Sequence, residues 1–200
     1  NAVRSMISRA KSVLADSQAM AQNAGDYFEE NCARVYRHYE ELLARNNAVD
    51  FDDLLFKAVQ LLEGFPEVQK RYQERYTYLL MDEFQDTNVA QYAIAKQLTG
   101  THRNLCVVGD PDQSIYAWRN ADIRNILSFQ HDFPEANVIT LEENYRSTQT
   151  ILSAAQNLIQ SNEQRVEKEL WTQNGTGLPI TVVERFTDRE EAQWIVREIQ

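Results

Sequence analysis

The sequence predicts an α/β chain, in which a helical N-terminal segment precedes a partial parallel sheet whose strands alternate with helices. Three observations carry this reading. Glycine and proline are scarce, six and four in 200 residues, which argues against an all-β fold, linkers and low complexity. Two short apolar runs, Tyr76–Met81 and Asn104–Val108, have strand character and flank a helix-length segment, Val89–Leu98. Upstream, apolar residues recur at three- and four-residue steps, the period of one helix face.

Taken in order, the first helix is expected from Val3 to Met20. A second opens at Asp26, with Glu29 three residues later as a capping pair. It carries Phe28, Cys32, Val35, Tyr36, Tyr39, Leu42 and Leu43 on one face. Asp50 is placed to cap a helix over Phe51–Glu63, stopped by Gly64 and Pro66. The two apolar runs follow as strands around the Val89–Leu98 helix. A helix over Ile123–His131, a third strand over Asn137–Leu141 and a long helix over Ser147–Ser161 come next. A turn at Asn174–Gly177, a strand over Ile180–Val183 and a closing helix from Asp188 complete the chain. There is no internal repeat.

Composition narrows the class. With 43% hydrophobic and 10% aromatic residues, the chain can bury a core as one large domain or two small ones. No apolar run approaches the roughly 18–20 residues of a membrane span, and Asn1 opens no signal-like pattern. Two cysteines, Cys32 and Cys106, make no disulfide scaffold, so a reducing compartment is the default. The net charge is −10. Residues 1–48 balance six basic side chains (Arg4, Arg9, Lys11, Arg34, Arg37, Arg45) against six acidic ones, so the whole acidic excess lies in 49–200. The chain starts without Met and ends on Gln200 inside an amphipathic pattern; a piece of a longer protein is expected.

In open parallel sheets, ligands bind beyond the carboxyl ends of the strands, and three such ends carry unusual polar clusters. The first is Met81-Asp82-Glu83-Phe84-Gln85-Asp86. Two adjacent acids after an apolar strand suit metal-assisted phosphoryl transfer, one carboxylate holding Mg²⁺ and the next orienting or deprotonating a water. Acids that offset a helix N-terminus have the same look. The second cluster is Val108-Gly-Asp-Pro-Asp-Gln-Ser-Ile-Tyr-Ala-Trp-Arg119. Its Gly-Asp-Pro turn brings Gln113, a neutral amide able to bond a terminal phosphate, near the same edge. Tyr116, Trp118 and Arg119 then combine aromatic faces with a cation, a combination that stacks bases of any sequence, although aromatics serve equally as core. The third is Leu141-Glu-Glu-Asn-Tyr-Arg-Ser147. Arg146 could reach a phosphate or pair with Glu142 or Glu143, and Tyr145 could stack on a base.

In this order and spacing, the three clusters resemble motifs II, III and IV of superfamily 1 DNA helicases of the UvrD/PcrA/Rep type. Two flanks extend the resemblance, Val49-Asp-Phe-Asp-Asp-Leu-Leu55 and Lys168-Glu-Leu-Trp-Thr172, so that it covers essentially the whole chain. It implies a RecA-like (P-loop NTPase) parallel sheet, present in part. Residues 1–48 would belong to a helical insertion (1B-like), 49–138 to the later part of a first motor domain (1A-like), and 139–200 to the start of a second (2A-like). It implies an ATP-dependent 3′–5′ DNA translocase and helicase of DNA repair or replication, acting on single-stranded DNA and single/double-strand junctions. By motif position, Asp82 would bind Mg²⁺, Glu83 would be the general base, and Gln113 would couple the γ-phosphate to DNA. Arg146 would contact the γ-phosphate and Tyr145 the adenine. Trp118 and Tyr116 would stack on bases, Arg119 would line the DNA channel, and Phe51 is a further DNA-pocket candidate. A bacterial cytoplasmic, nucleoid-associated protein is expected.

The phosphate-cradling P-loop, G-x-x-x-x-G-K-[ST], is absent from these residues, since no glycine is followed by Lys. These 200 residues alone are therefore not expected to hydrolyse ATP. His102 and Cys106 lack a matching pair for zinc, His38 and His131 are isolated, and Trp171 and Trp194 read as packing residues. Two alternatives remain: the motor of a helicase–nuclease recombination subunit, and a non-catalytic fragment that binds DNA or a partner.

Overall fold

A computed structural model describes residues 2–100, 102–162, 165–166 and 168–200. The chain divides into two compact units, Asn1–Ala136 and Asn137–Gln200.

The first unit opens with α1 (Ala2–Ser12) and α2 (Ser17–Gln22), where a single helix is expected. The stop is local. Leu14 takes a left-handed conformation (φ 63°), the Ala15 amide donates to the Ala10 carbonyl at 2.8 Å, and the Leu14 amide donates to Lys11 at 3.0 Å. This is a Schellman motif without its usual glycine. Asp16 then caps α2 by accepting from the Ala19 amide at 2.7 Å. α3 (Tyr27–Arg45) starts as expected, with the Asp26 carboxylate accepting from the Glu29 amide. Only part of its apolar face is covered: Cys32 and Tyr36 are fully buried, while Phe28, Val35 and Leu42 stay exposed.

α4 (Phe51–Gly64) carries a reciprocal capping box between Asp50 and Asp53. Phe56, Val59 and Leu62 are buried at three-residue steps, and the helix packs on α1, α5 and α6. The helix α5 (Pro66–Arg75) was not expected from the sequence: Pro66 starts it rather than merely ending α4. It buries no residue, so it leaves no apolar period to read. Strands β1 (Leu79–Met81) and β2 (Leu105–Val107) pair in parallel, Leu79 with Leu105 and Met81 with Val107. The crossover between them is α6 (Val89–Thr99), capped by a second box between Asn88 and Gln91.

One sheet face is covered. Met81, Leu105 and Val107 pack on a core of Phe84, Tyr92, Ala95, Phe129 and Phe133. The alternate residues Leu80 and Cys106 are exposed. The expected helix over Ile123–His131 is broken at Ser128 into α7 (Arg124–Leu127) and α8 (Phe129–Asp132), which lets Phe129 and Phe133 stack at 4.8 Å.

α1 is tied to α4 by a buried cation. The Lys11 ammonium has no exposed surface and lies 2.8 Å from both Asp50 Oδ2 and Asp53 Oδ1. It also sits 5.2 Å from the centroid of the Tyr39 ring, whose hydroxyl donates to Asp50. Burial pulls the Lys11 pKa down, but its hydrogen bonds to the two carboxylates outweigh that and hold it above the usual lysine value. Burial pushes Asp50 up, yet hydrogen bonds from Lys11, the Asp53 amide and Tyr39 leave it below the usual range.

The second unit holds α9 (Gln149–Ile159) and α10 (Asp188–Ile199). The strands expected over Asn137–Leu141 and Ile180–Val183 are not formed. Val138, Ile139, Leu141 and Val182 are exposed, and both runs lack a paired neighbour among the described residues. A parallel bridge between Glu143 and Trp171 is the one strand-like pairing in this unit among those residues. No helix among the described residues is long and apolar enough to cross a membrane.

Candidate functional site

Parallel pairing puts the carboxyl ends of β1 and β2 at one edge, so Asp82 and the Gly109–Gln113 turn leave the sheet side by side. The two exits are stitched together. The Phe84 amide donates to the Val108 carbonyl at 2.9 Å, and the Val108 amide donates to Met81 at 2.8 Å. Asp82 and Glu83 are exposed.

Glu83 adopts a left-handed backbone (φ 49°, ψ 42°), a conformation that costs a non-glycine residue roughly 1–2 kcal/mol. Its own hydrogen bonds hold it there. The Glu83 amide donates to Asp82 Oδ1 at 2.9 Å, its carbonyl accepts from the Asp86 amide at 2.9 Å, and its Oε2 accepts from Gln85 Nε2 at 2.8 Å. The bend aims the two acids off the sheet edge and buries Phe84 beneath them. Asp86 carries a buried carboxylate oxygen, Oδ1, without a hydrogen-bond partner among the described residues.

Gly109 is needed where β2 leaves the sheet. A Cβ there would lie 2.6 Å from Gln85 Oε1, 3.0 Å from Ile126 Cδ1 and 3.1 Å from the Phe84 amide nitrogen. That amide is already fixed to Val108, so the backbone cannot retreat. Gly109→Ala is expected to destabilise the chain by about 1–3 kcal/mol through overpacking. Gly64→Ala, where a Cβ meets nothing within 4 Å, serves as the neutral control. Thermal melts of the two variants check this, and equal melting temperatures would contradict it.

Beyond Gln113, the chain forms an exposed aromatic platform. Trp118 is 72% exposed, and the Arg119 guanidinium lies 4.5 Å from the Trp118 centroid and 5.3 Å from that of Tyr116. The loop is pinned at its exit. Asn120 takes a left-handed turn (φ 64°), and its side-chain amide donates to Ser12 Oγ on α1 at 3.1 Å. Asn125 anchors the next turn by donating to the Thr87 carbonyl and hydroxyl, both at 3.1 Å. Phe51, at the first position of α4, is 90% exposed.

Tyr145 and Arg146 belong to the second unit and are exposed on a loop of their own. Asn144 Oδ1 accepts from the amides of Arg146 (3.0 Å) and Ser147 (2.7 Å), an Asx turn that enters α9. The Asn174 side chain clamps the loop from outside, donating to the carbonyls of Tyr145 and Ser147 at 3.1 Å each. The Glu143 carboxylate beside Tyr145 raises that phenol's pKa.

The structure thus brings Asp82, Glu83 and Gln113 to one edge, sets Tyr116, Trp118 and Arg119 on one loop, and carries Tyr145 and Arg146 on another. The sequence gives no separate signal for Gln85, Thr87 or Asn125, because their importance lies in what they bond. No group of three or more His, Cys, Asp or Glu side chains forms a metal cage among the described residues.

Comparison with known proteins points the same way as the motifs. Residues 139–200 match the UvrD-like helicase C-terminal domain. The chain is 50% identical over 193 residues to the ATP-dependent DNA helicase PcrA of Staphylococcus aureus strain Mu50, and 48% identical to that of Staphylococcus epidermidis strain RP62A. Each alignment covers 96% of this chain and 26% of the relative, so the chain spans about a quarter of those proteins. Residues 1–134 match the UvrD/REP helicase N-terminal domain. The chain therefore belongs to the UvrD/REP helicase family.

Proposed function

We propose that these residues are a central part of an ATP-driven 3′–5′ DNA motor that translocates on single-stranded DNA and unwinds duplex at junctions. In this reading β1 and β2 are strands of a RecA-like motor sheet. Residues 1–48 are a helical insertion segment, 49–138 the later part of the first motor domain, and 139–200 the beginning of the second. The observation that carries the reading is the shared sheet edge, where two exposed acids and a neutral amide sit beside a loop that continues into an exposed cation–aromatic platform.

Each residue takes the role that its position in the family's motifs implies, and its chemistry suits that role. Asp82 would hold Mg²⁺, an ion usually bound through one or two carboxylates plus substrate phosphates rather than a full protein cage. The exposed Asp82 carboxylate at the end of β1 fits such an ion, and Asp86 in the turn that follows keeps a buried Oδ1 without a hydrogen-bond partner among the described residues. When bound, the ion supplies charge neutralisation at the phosphates. Glu83 takes the proton of the attacking water. Gln113 bonds the terminal phosphate, and Arg146 has the role of stabilising charge that develops on a phosphoryl group. Tyr145 packs on the adenine. Trp118 and Tyr116 stack on bases, Arg119 lines the DNA track, and Phe51 adds a further base contact. The site of action is the bacterial cytoplasm, on nucleoid DNA.

The test uses a protein of the relatives' full length that contains this segment, called the full-length protein below. Trp118→Ala is expected to weaken binding of a single-stranded oligothymidylate by about 1–3 kcal/mol, with little base preference. DNA-stimulated ATP turnover falls with it. The melting temperature barely moves, because an exposed ring contributes little to the core. Unchanged DNA affinity in a folded Trp118→Ala protein would remove the platform from DNA binding.

A further inference from the structure

A continuous hydrogen-bond path runs from Gln113 to Glu83 through a buried side chain. Gln113 Nε2 donates to Asp110 Oδ2 at 2.7 Å. The Asp110 amide donates to Gln85 Oε1 at 3.0 Å, and Gln85 Nε2 donates to Glu83 Oε2 at 2.8 Å. Gln85 is 1% exposed although it follows two exposed acids. Its orientation has one solution: a backbone N–H faces one end of the amide and a carboxylate faces the other. Flipping the group would set donor against donor and acceptor against acceptor. The absence of a Cβ at Gly109 makes room for Oε1.

We propose that Gln85 is a positioning residue that transmits the hydrogen-bonding state of Gln113 to Glu83. The inference rests on the reading of Glu83 as the base and Gln113 as the phosphate contact. The two ends of the path are exposed and Gln85 within it is buried with both ends of its amide bonded, so its members polarise and orient one another. When the Gln113 amide turns from Asp110 to a phosphate, the Asp110 turn relaxes. The Gln85 amide moves with it and, through the Nε2 bond it keeps, swings the Glu83 carboxylate towards the attacking water. Hydrolysis is then timed to the arrival of the terminal phosphate. No covalent step is involved.

A double-mutant cycle on the full-length protein, read as ATP turnover with oligothymidylate present, tests this. Gln85→Met keeps the length of the side chain and removes its hydrogen bonds to Glu83, Asp86 and the Asp110 amide. It is expected to lower kcat by about tenfold or more, with KM for ATP changed by less than about threefold. Groups acting in series are not additive, so Gln85→Met combined with Gln113→Ala should be no slower than the slower single variant. Asp110→Ala, on a half-exposed turn, breaks the path without touching the buried amide. It should show the same non-additivity with Gln113→Ala, and it carries the test alone if Gln85→Met does not fold. Multiplicative losses in either cycle, or a rise in KM with kcat unchanged, would overturn the relay. Glu83→Gln separates the two readings. If that variant is inactive while the losses multiply, the relay fails and the base stands; if it turns over normally, the base assignment itself fails.

Discussion

Replacing Glu83 by glutamine in the full-length protein is expected to reduce ATP turnover by about 10²- to 10⁴-fold and to leave nucleotide binding close to normal. The substitution keeps the size and the backbone preference of the residue, so the left-handed bend at position 83 and the Phe84–Val108 hydrogen bond should survive. The new amide oxygen can still accept from Gln85 Nε2. What disappears is the ability to take a proton. Because Glu83 is exposed and its bonds are local, little stability should be lost. Phosphate release measured beside a calorimetric nucleotide titration separates chemistry from binding. Turnover within about threefold of the parent would remove Glu83 from the catalytic role.

The second large effect is on stability. Lys11→Met fills the volume of the side chain but leaves Asp53, whose carboxylate is 4% exposed, and Asp50 facing each other without their cation. Breaking a buried pair by removing one partner typically costs about 3–5 kcal/mol, because the remaining charge stays buried. A fall in melting temperature of roughly 10 °C or more follows for a unit of this size. The pH dependence has a fixed sign. Asp50 is held below the usual carboxylate range, so its contribution is complete above that range and is lost as pH falls through its lowered value. Lys11 is held above its usual value, so its contribution is complete below that value and is lost only as pH rises past the raised one. The gap between parent and Lys11→Met should therefore be widest between roughly pH 5 and 10 and narrow on either side. A gap that grows on acidification would show that the ammonium does not act through these carboxylates.

Lys11 illustrates what the residue string conceals. In sequence it is one of six basic side chains in a balanced segment, 39 positions from Asp50. Only the packing of α1 against α4 makes it a buried cation. Gln85 is similar: it stands inside an acidic run at a strand end, yet the bend at Glu83 buries it under the two acids.

What the sequence by itself determined is local. Asp26 and Asp50 mark helix starts because a cap is a contact across three residues, and both caps form as read. The α6 crossover and the parallel pairing of the two apolar runs follow from element order, and that order alone brings Asp82 and Gln113 to one edge. The exposure of Trp118 follows from a polar, turn-rich neighbourhood too short to bury it. Tertiary structure decided the rest. It formed α5 from a segment with no apolar stripe, and it left Asn137–Leu141 unpaired, because a strand needs a hydrogen-bonded neighbour as well as apolar composition. It also joined Gln113 to Glu83, since hydrogen bonds between distant positions depend on angles and distances that a linear order of residue types does not contain.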